Sequence, residues 1–200
     1  MKSYILHVLI QNGEKYMVAN SQQYKEVYNQ IEEVYGKIVY TYTTHIIQAS
    51  RIKKKNAFLK WSEIILSAIS AGGFLATVIT DTAVLSWIGG LCSTALLVLS
   101  SYFKEVDLVQ VQKEHLNTSN KLWTLREDYL SLLIDFDKTD YEAIKETRKR
   151  LKEEVAEVYN NAPITDEKSY TLAKEELQKK ESQFFTRDEL NNILPIELRK

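Results

Sequence analysis

Hydrophobic and polar residues are segregated along this chain. Residues 64–80 carry no charge for 17 positions, residues 82–103 carry none for 22, and only Asp81 separates the two runs. A bilayer core of ~30 Å takes about 20 mostly apolar residues per helical pass, with a range of ~17–25. Both runs fit, the first at the lower limit. Trp61 at the interface and a snorkelling Lys60 lengthen that pass and leave Glu63 at headgroup level. The connection Thr80–Ala83 is too short for anything but a tight turn, so the two helices are expected to be antiparallel neighbours. Residues 61–103 are therefore expected to form a transmembrane helical hairpin.

Outside the hairpin the apolar residues recur at helical spacing. Tyr24, Tyr28, Ile31, Tyr35, Ile38, Tyr42, His45, Ala49 and Ile52 follow spacings of four and three without a miss. That period of 3.5 is the pattern of coiled-coil packing and predicts a cytosolic amphipathic helix over 21–60. Gly36 is its weak point. Residues 1–20 are less legible. Asn12-Gly13 between two apolar runs is a hairpin-turn signal, with a short helix as the competing reading.

No glycine or proline falls between residues 91 and 162, so the second pass is expected to run on into a cytosolic region, 104–200. There Val109, Leu116, Trp123 and Leu130 repeat every seven residues, and Leu122, Leu125, Tyr129 and Leu133 broaden that face toward the Tyr-rich seam. Thr139-Asp140-Tyr141-Glu142 and Thr186-Arg187-Asp188-Glu189 have the form of capping boxes. Between them, Ile144, Leu151, Val155 and Val158 mark one helix face, Asn161-Ala162-Pro163 ends that helix, and Thr165 opens a charged one. The predicted fold is all-α: a membrane hairpin continuous with long cytosolic helices in a coiled-coil-like bundle.

Charge sets the orientation. Arg51, Lys53, Lys54, Lys55 and Lys60 precede the first pass, Lys104 follows the second, and the turn holds only Asp81. The positive-inside rule puts both termini in the cytoplasm. No small-residue cleavage site follows the short apolar run at the start, so no signal peptide is read. With 26 basic and 27 acidic residues the formal charge is −1, which argues against a nucleic-acid partner.

Candidate chemistry is sparse. Cys92 is the lone cysteine, and His7, His45 and His115 lack ligand spacing, so no metal, cofactor or catalytic residues are expected and the chain does not read as an enzyme. His45, at a seam position, reads as a hydrogen-bonded core histidine. Lys145, Arg148, Lys149 and Arg150 suit phosphates, yet they mix with Glu142, Glu146, Glu153 and Glu154 as on a solvated helix face. The membrane passes carry small residues at close-packing intervals: Ala68, Gly72 and Ala76 on the first, with Gly73 adjacent, and Ser86 with Gly90 and Gly89 with Ser93 on the second. Ser86, Ser93 and Ser100 share a face. They either line a pore or pack against the first pass, and their glycine neighbours favour packing.

In their order along the chain these residues resemble the SLATT family, the SMODS and SLOG-associating two-transmembrane effector domains of bacteria. The resemblance runs from about residue 35 to 200. It rests on Tyr35-Gly36-Lys37, Tyr40, Tyr42 and His45, Leu66-Ser67-Ala68-Ile69 with Gly72-Gly73-Phe74, and Lys104-Glu105. It continues through His115, Asn120-Lys121-Leu122-Trp123, Tyr129-Leu130-Ser131-Leu132-Leu133, Tyr159-Asn160-Asn161-Ala162-Pro163, and Leu194-Pro195 with Glu197-Leu198-Arg199-Lys200. It implies a bacterial inner-membrane effector of a conflict or antiphage system. Such an effector is expected to oligomerise and breach the membrane when a nucleotide second-messenger system or sensor protein triggers it. Two alternatives stand beside it: a membrane-anchored helical scaffold, and a ligand-sensing module without pore activity.

Overall fold

A computed structural model describes the backbone of residues 2–80, 83–179, 186–193 and 195–196; side chains are described from residue 22 onward, except at 77, 78, 80 and 191. The elements in order are α1 (Lys2–Thr80), α2 (Ala83–Glu105), α3 (Leu108–Ile134), a 3-10 turn (Phe136–Lys138), α4 (Tyr141–Asn161), α5 (Glu167–Lys179) and α6 (Arg187–Ile193). No strand occurs among the described residues, as the all-α reading requires. The helical backbone begins at Lys2, so the turn signal at Asn12-Gly13 does not produce a hairpin. Extending an existing helix adds one hydrogen bond per residue fixed, whereas a hairpin here has no third element to bury it. Asp81 lies outside the described residues.

The chain divides into two compact units: residues 1–43, 118–162 and 174–200 in one, residues 44–117 and 163–173 in the other. The first has an apolar core in which Ile31, Ile38, Leu122, Ile144 and Leu151 are at most 1% exposed. Val27, Leu125, Tyr129, Leu132 and Phe136 complete it. Aromatic rings close one end: Phe136 meets Tyr24 and Tyr28 edge-on, at 6.1 and 5.1 Å between centroids, and Tyr24 lies 4.6 Å from Tyr141.

The face that α3 buries differs from the seven-residue ladder. Leu122, Leu125, Tyr129 and Leu132 are buried, while Trp123 is 43% exposed and Leu130 half-buried. A helix of 3.6 residues per turn drifts about 20° per heptad from a strict repeat, so a ladder picked at intervals of seven slides off the contact. The two flanking positions carry the packing instead.

The caps form close to their expected places. Thr186 and Glu189 make a reciprocal box, the Thr186 amide donating to Glu189 Oε2 at 2.7 Å and the Glu189 amide to Thr186 Oγ1 at 3.3 Å. At α4 the cap is Asp140, which accepts from the Glu142 amide at 3.1 Å, while Thr139 turns back to the Asp135 carbonyl. At α5 it is Asp166, one residue past Thr165, which accepts from the Ser169 amide at 2.7 Å. Carboxylates compete well for free helix-start amides.

The second unit contains α2 and the membrane-length part of α1. Their most apolar windows are 0% and 6% buried within the protein. Phe74, Leu75, Ile79, Val84, Trp87 and Leu91 are each more than 60% exposed. A soluble core hairpin would bury these side chains, and water-exposed apolar patches rarely exceed a few hundred Å². Lipid is the medium that such a surface suits, and both helices are long and apolar enough to cross a bilayer. The second pass does not run unbroken into α3: residues 106 and 107 are non-helical, and Asp107 accepts from the Val109 and Gln110 amides at 3.0 and 2.9 Å. An aspartate cap starts a new helix here without glycine or proline.

Gly36 sits in the helix interior with nothing within 4 Å of where a Cβ would stand. Gly36→Ala is expected to stabilise the protein by about 0.5–1 kcal/mol, read as a rise in thermal midpoint in detergent.

Candidate functional site: the helix crossing and a buried histidine pair

Within the second unit the two passes approach through glycine. A Cβ added to Gly73 would stand 3.3 Å from the Leu85 carbonyl oxygen and 3.5 Å from Gly89 Cα. Gly89 is buried, and a Cβ there would meet the Ser70 carbonyl at 3.6 Å. Hydroxyls reinforce the approach. Ser70 and Ser93 are hydrogen-bonded at 2.5 Å, and Ser100 donates to Glu63 at 3.2 Å. Close backbone contact supported by hydroxyl bonds is how helices associate in lipid, where no hydrophobic force drives them together.

The small residues named from the sequence thus fall into two groups. Gly73, Gly89, Ser93 and Ser100 lie where the passes meet. Gly72 and Gly90 have nothing within 4 Å of a built Cβ, and Ala68 and Ser86 are exposed while Ala76 is half-buried. Ser86 and Gly90 line a cleft of about 500 Å³ that also touches Ser70, Phe74 and Ser93.

Above the first pass, Lys55 donates to the Tyr102 hydroxyl at 2.9 Å and lies 5.2 Å from that ring's centroid. Further from the hairpin along α1 and α3, His45 and His115 meet Nδ1 to Nδ1 at 2.9 Å. Both are 2% exposed. One nitrogen must donate and the other accept, which between two neutral rings takes opposite tautomers. Burial, then the neighbouring His115, pulls His45 down to about 4. Burial also lowers His115, against the opposing pull of Glu114 and Asp166.

Nearby, Arg51 pairs with Asp166 and donates to Ser169 Oγ at 2.7 Å. The Gln48 amide nitrogen donates to the same two residues. Burial would raise the Asp166 carboxyl, but bonds from Ser169 and Arg51 outweigh it and hold it below the usual range. These contacts fasten the α5 start to α1. Sequence reading missed them: it placed Arg51 with the membrane-facing lysines and found no partner for His45. The one available signal was that His115 directly precedes Leu116 on the seven-residue ladder.

Among the seam residues, the first unit brings Tyr42 and Trp123 to 5.4 Å, with the Arg126 guanidinium 4.7 Å from the Trp123 ring and 6.0 Å from that of Tyr35. Tyr28 and Tyr35 pack against the core. Leu116, in the second unit, is 37% exposed.

Two outcomes are expected. In a Cys92→Ala background, Ser70→Cys with Ser93→Cys should form a disulfide in membranes; adding Gly73→Leu should suppress it, while Gly72→Leu should not, by gel shift. The histidines titrate lower when folded than when unfolded, so the unfolded state takes up protons first as pH falls. Their stabilisation is complete above the ordinary value near 6.5 and declines by at most about 1.4 kcal/mol per pH unit per histidine, levelling for His45 near 4. Melts in detergent should show His45→Leu with His115→Leu flattening this part of the pH profile.

The profile of the SMODS and SLOG-associating 2TM effector domain family 4 matches residues 27–189. The match takes in the seam of α1 from Val27, both passes, and α3 to α5; the Leu194-Pro195 and Glu197–Lys200 motifs fall beyond it. No curated protein and no solved structure matches the chain. Two helices long and apolar enough to cross a bilayer stand where a 2TM domain requires them. The chain belongs to the SMODS and SLOG-associating 2TM effector domain family 4, one of the SLATT families.

Proposed function

We propose that this chain is a bacterial inner-membrane effector, with both termini cytoplasmic, whose copies assemble into a pore or otherwise breach the membrane when a nucleotide-linked partner triggers them. Family membership implies a membrane effector in conflict systems; assembly and breach are the further step. One hairpin has no lumen between its two helices, so a water path requires several copies.

The observation that carries the reading is the division of the small residues. Gly73 and Gly89 are used inside the hairpin, whereas Gly72 and Gly90 leave the backbone open. A neighbouring hairpin can approach closely there. The basic residues before the first pass and the single acidic residue in the turn support the cytoplasmic placement of the termini. A trigger would act by biasing packing of the cytosolic helices between two arrangements.

Induced expression should collapse the membrane potential, followed with a voltage-sensitive dye. Gly72→Leu or Gly90→Leu should keep membrane insertion and the 70–93 disulfide yet lose both the collapse and the oligomer seen by mass photometry. Full potential at high expression of the native chain, with the trigger present, would overturn the reading.

A further inference from the structure

The first unit holds a cleft of about 530 Å³ between α1, α3 and α4. Its floor is apolar: Ile31, Val34, Tyr129 and Val155. Its rim is basic: Lys145, Arg148, Lys149 and Lys152, spaced three and four apart so that they share one face of α4. In the sequence these cations mix with carboxylates, which suggested a solvated face. The fold sorts them. Arg150 pairs with Glu154 at 2.6 Å and neither lines the cleft. Glu142 is taken by Lys145 at 3.0 Å. Arg148 is held at the opening by Gln30 Oε1 at 2.6 Å. Lys149 and Lys152 make no ion pair among the described residues, and Glu146 is the one other carboxylate on the lining.

A second observation lies beneath them. Tyr129 is 2% exposed and lines the cleft, and its hydroxyl has no protein hydrogen-bond partner among the described residues. Burial pushes its phenol above the ordinary value, so at neutral pH it remains a donor. That hydroxyl is not fully enclosed, the enclosed side-chain atoms without a partner among the described residues being Ser119 Oγ and Arg126 Nε; it opens to the cleft, where a ligand acceptor can reach it.

We propose that this cleft binds a phosphate ester with a planar or apolar body, the body against Ile31, Val34 and Tyr129, the phosphate met by Arg148, Lys149 and Lys152, and a polar edge accepting from the Tyr129 hydroxyl. Several cations over one apolar floor match a multiply charged group better than a single carboxylate. The volume lies within the ~300–1,000 Å³ of small-ligand sites. The proposal gives the trigger a chemical class and rests on the effector reading only for that consequence; the binding stands apart from it.

The test is calorimetric titration of full-length protein in detergent, where no membrane potential exists, with adenosine 5′-monophosphate, cyclic di-adenosine monophosphate, adenosine and inorganic phosphate. At least one nucleotide should bind about tenfold or more tighter than either adenosine or phosphate alone. Lys149→Glu with Lys152→Glu should weaken it by about tenfold or more, and raised salt should act in the same direction. Tyr129→Phe should weaken it by about three- to tenfold with an unchanged or higher melting temperature, a readout that a merely structural tyrosine would not give. No heat from any probe up to about 1 mM, or binding indifferent to both sets of substitutions, would overturn the proposal. So would rim substitutions that change only the oligomer, which would make the cleft a contact between copies. Binding without depolarisation would retain the cleft and remove the pore; depolarisation without binding would do the reverse.

Discussion

The bilayer is the constraint on which the rest of this structure depends. Two consecutive uncharged runs form helices whose large side chains point outward, with Phe74, Ile79, Trp87 and Leu91 all at least 70% exposed. Water cannot hold such a surface apart, whereas hydrocarbon can, provided each backbone amide is satisfied within its own helix. That condition accounts for the uninterrupted helicity through the glycines of both passes. It also accounts for glycine at the crossing. With lipid on all sides, only close packing and hydrogen bonds bring the helices together, and Gly73, Gly89, Ser70 and Ser93 supply both.

The two units solve burial differently. The first is stabilised mainly by aliphatic and aromatic side chains with almost no exposure, with Thr43, Thr118 and Ser119 buried beside them in the same unit. The second buries Thr44, His45, His115 and Ser169 beside Ala49, Ile52 and Leu108. Buried polar pairs contribute less net stability than apolar packing, and their best-attested use is to fix register. A histidine pair with one shared proton, and an Arg51–Asp166 pair bracing a helix start, tolerate one alignment of α1 against its neighbours. These pairs define the alignment of α1 next to the membrane-length helices.

The hairpin, the helical class and the Thr186 cap were legible in the sequence because each follows from local composition: uncharged length, period and capping residues; at α4 and α5 the cap falls one residue later, on Asp140 and Asp166. Ile31 and Ile38 were readable for the same reason. The packing face of α3 was less so, since the visible ladder of Leu116, Trp123 and Leu130 follows a period that a straight helix does not keep. The division of Gly72 from Gly73, and of Gly90 from Gly89, was hidden entirely. Neighbouring residues on a helix point about 100° apart, and which one faces the partner depends on rotations that spacing alone leaves open. The His45–His115 contact joins residues 70 apart, and the sorting of α4 cations from their carboxylates depends on which face meets α1. Both are tertiary facts.

The most direct measurement of the central claim is the partition of the full-length native chain after high-speed centrifugation and an alkaline carbonate wash. The account predicts that the protein stays in the membrane pellet and enters solution only with detergent, from which it elutes as a single species. A chain recovered from the supernatant, monodisperse in plain buffer with no surfactant, would mean that the two uncharged helices do not cross a bilayer.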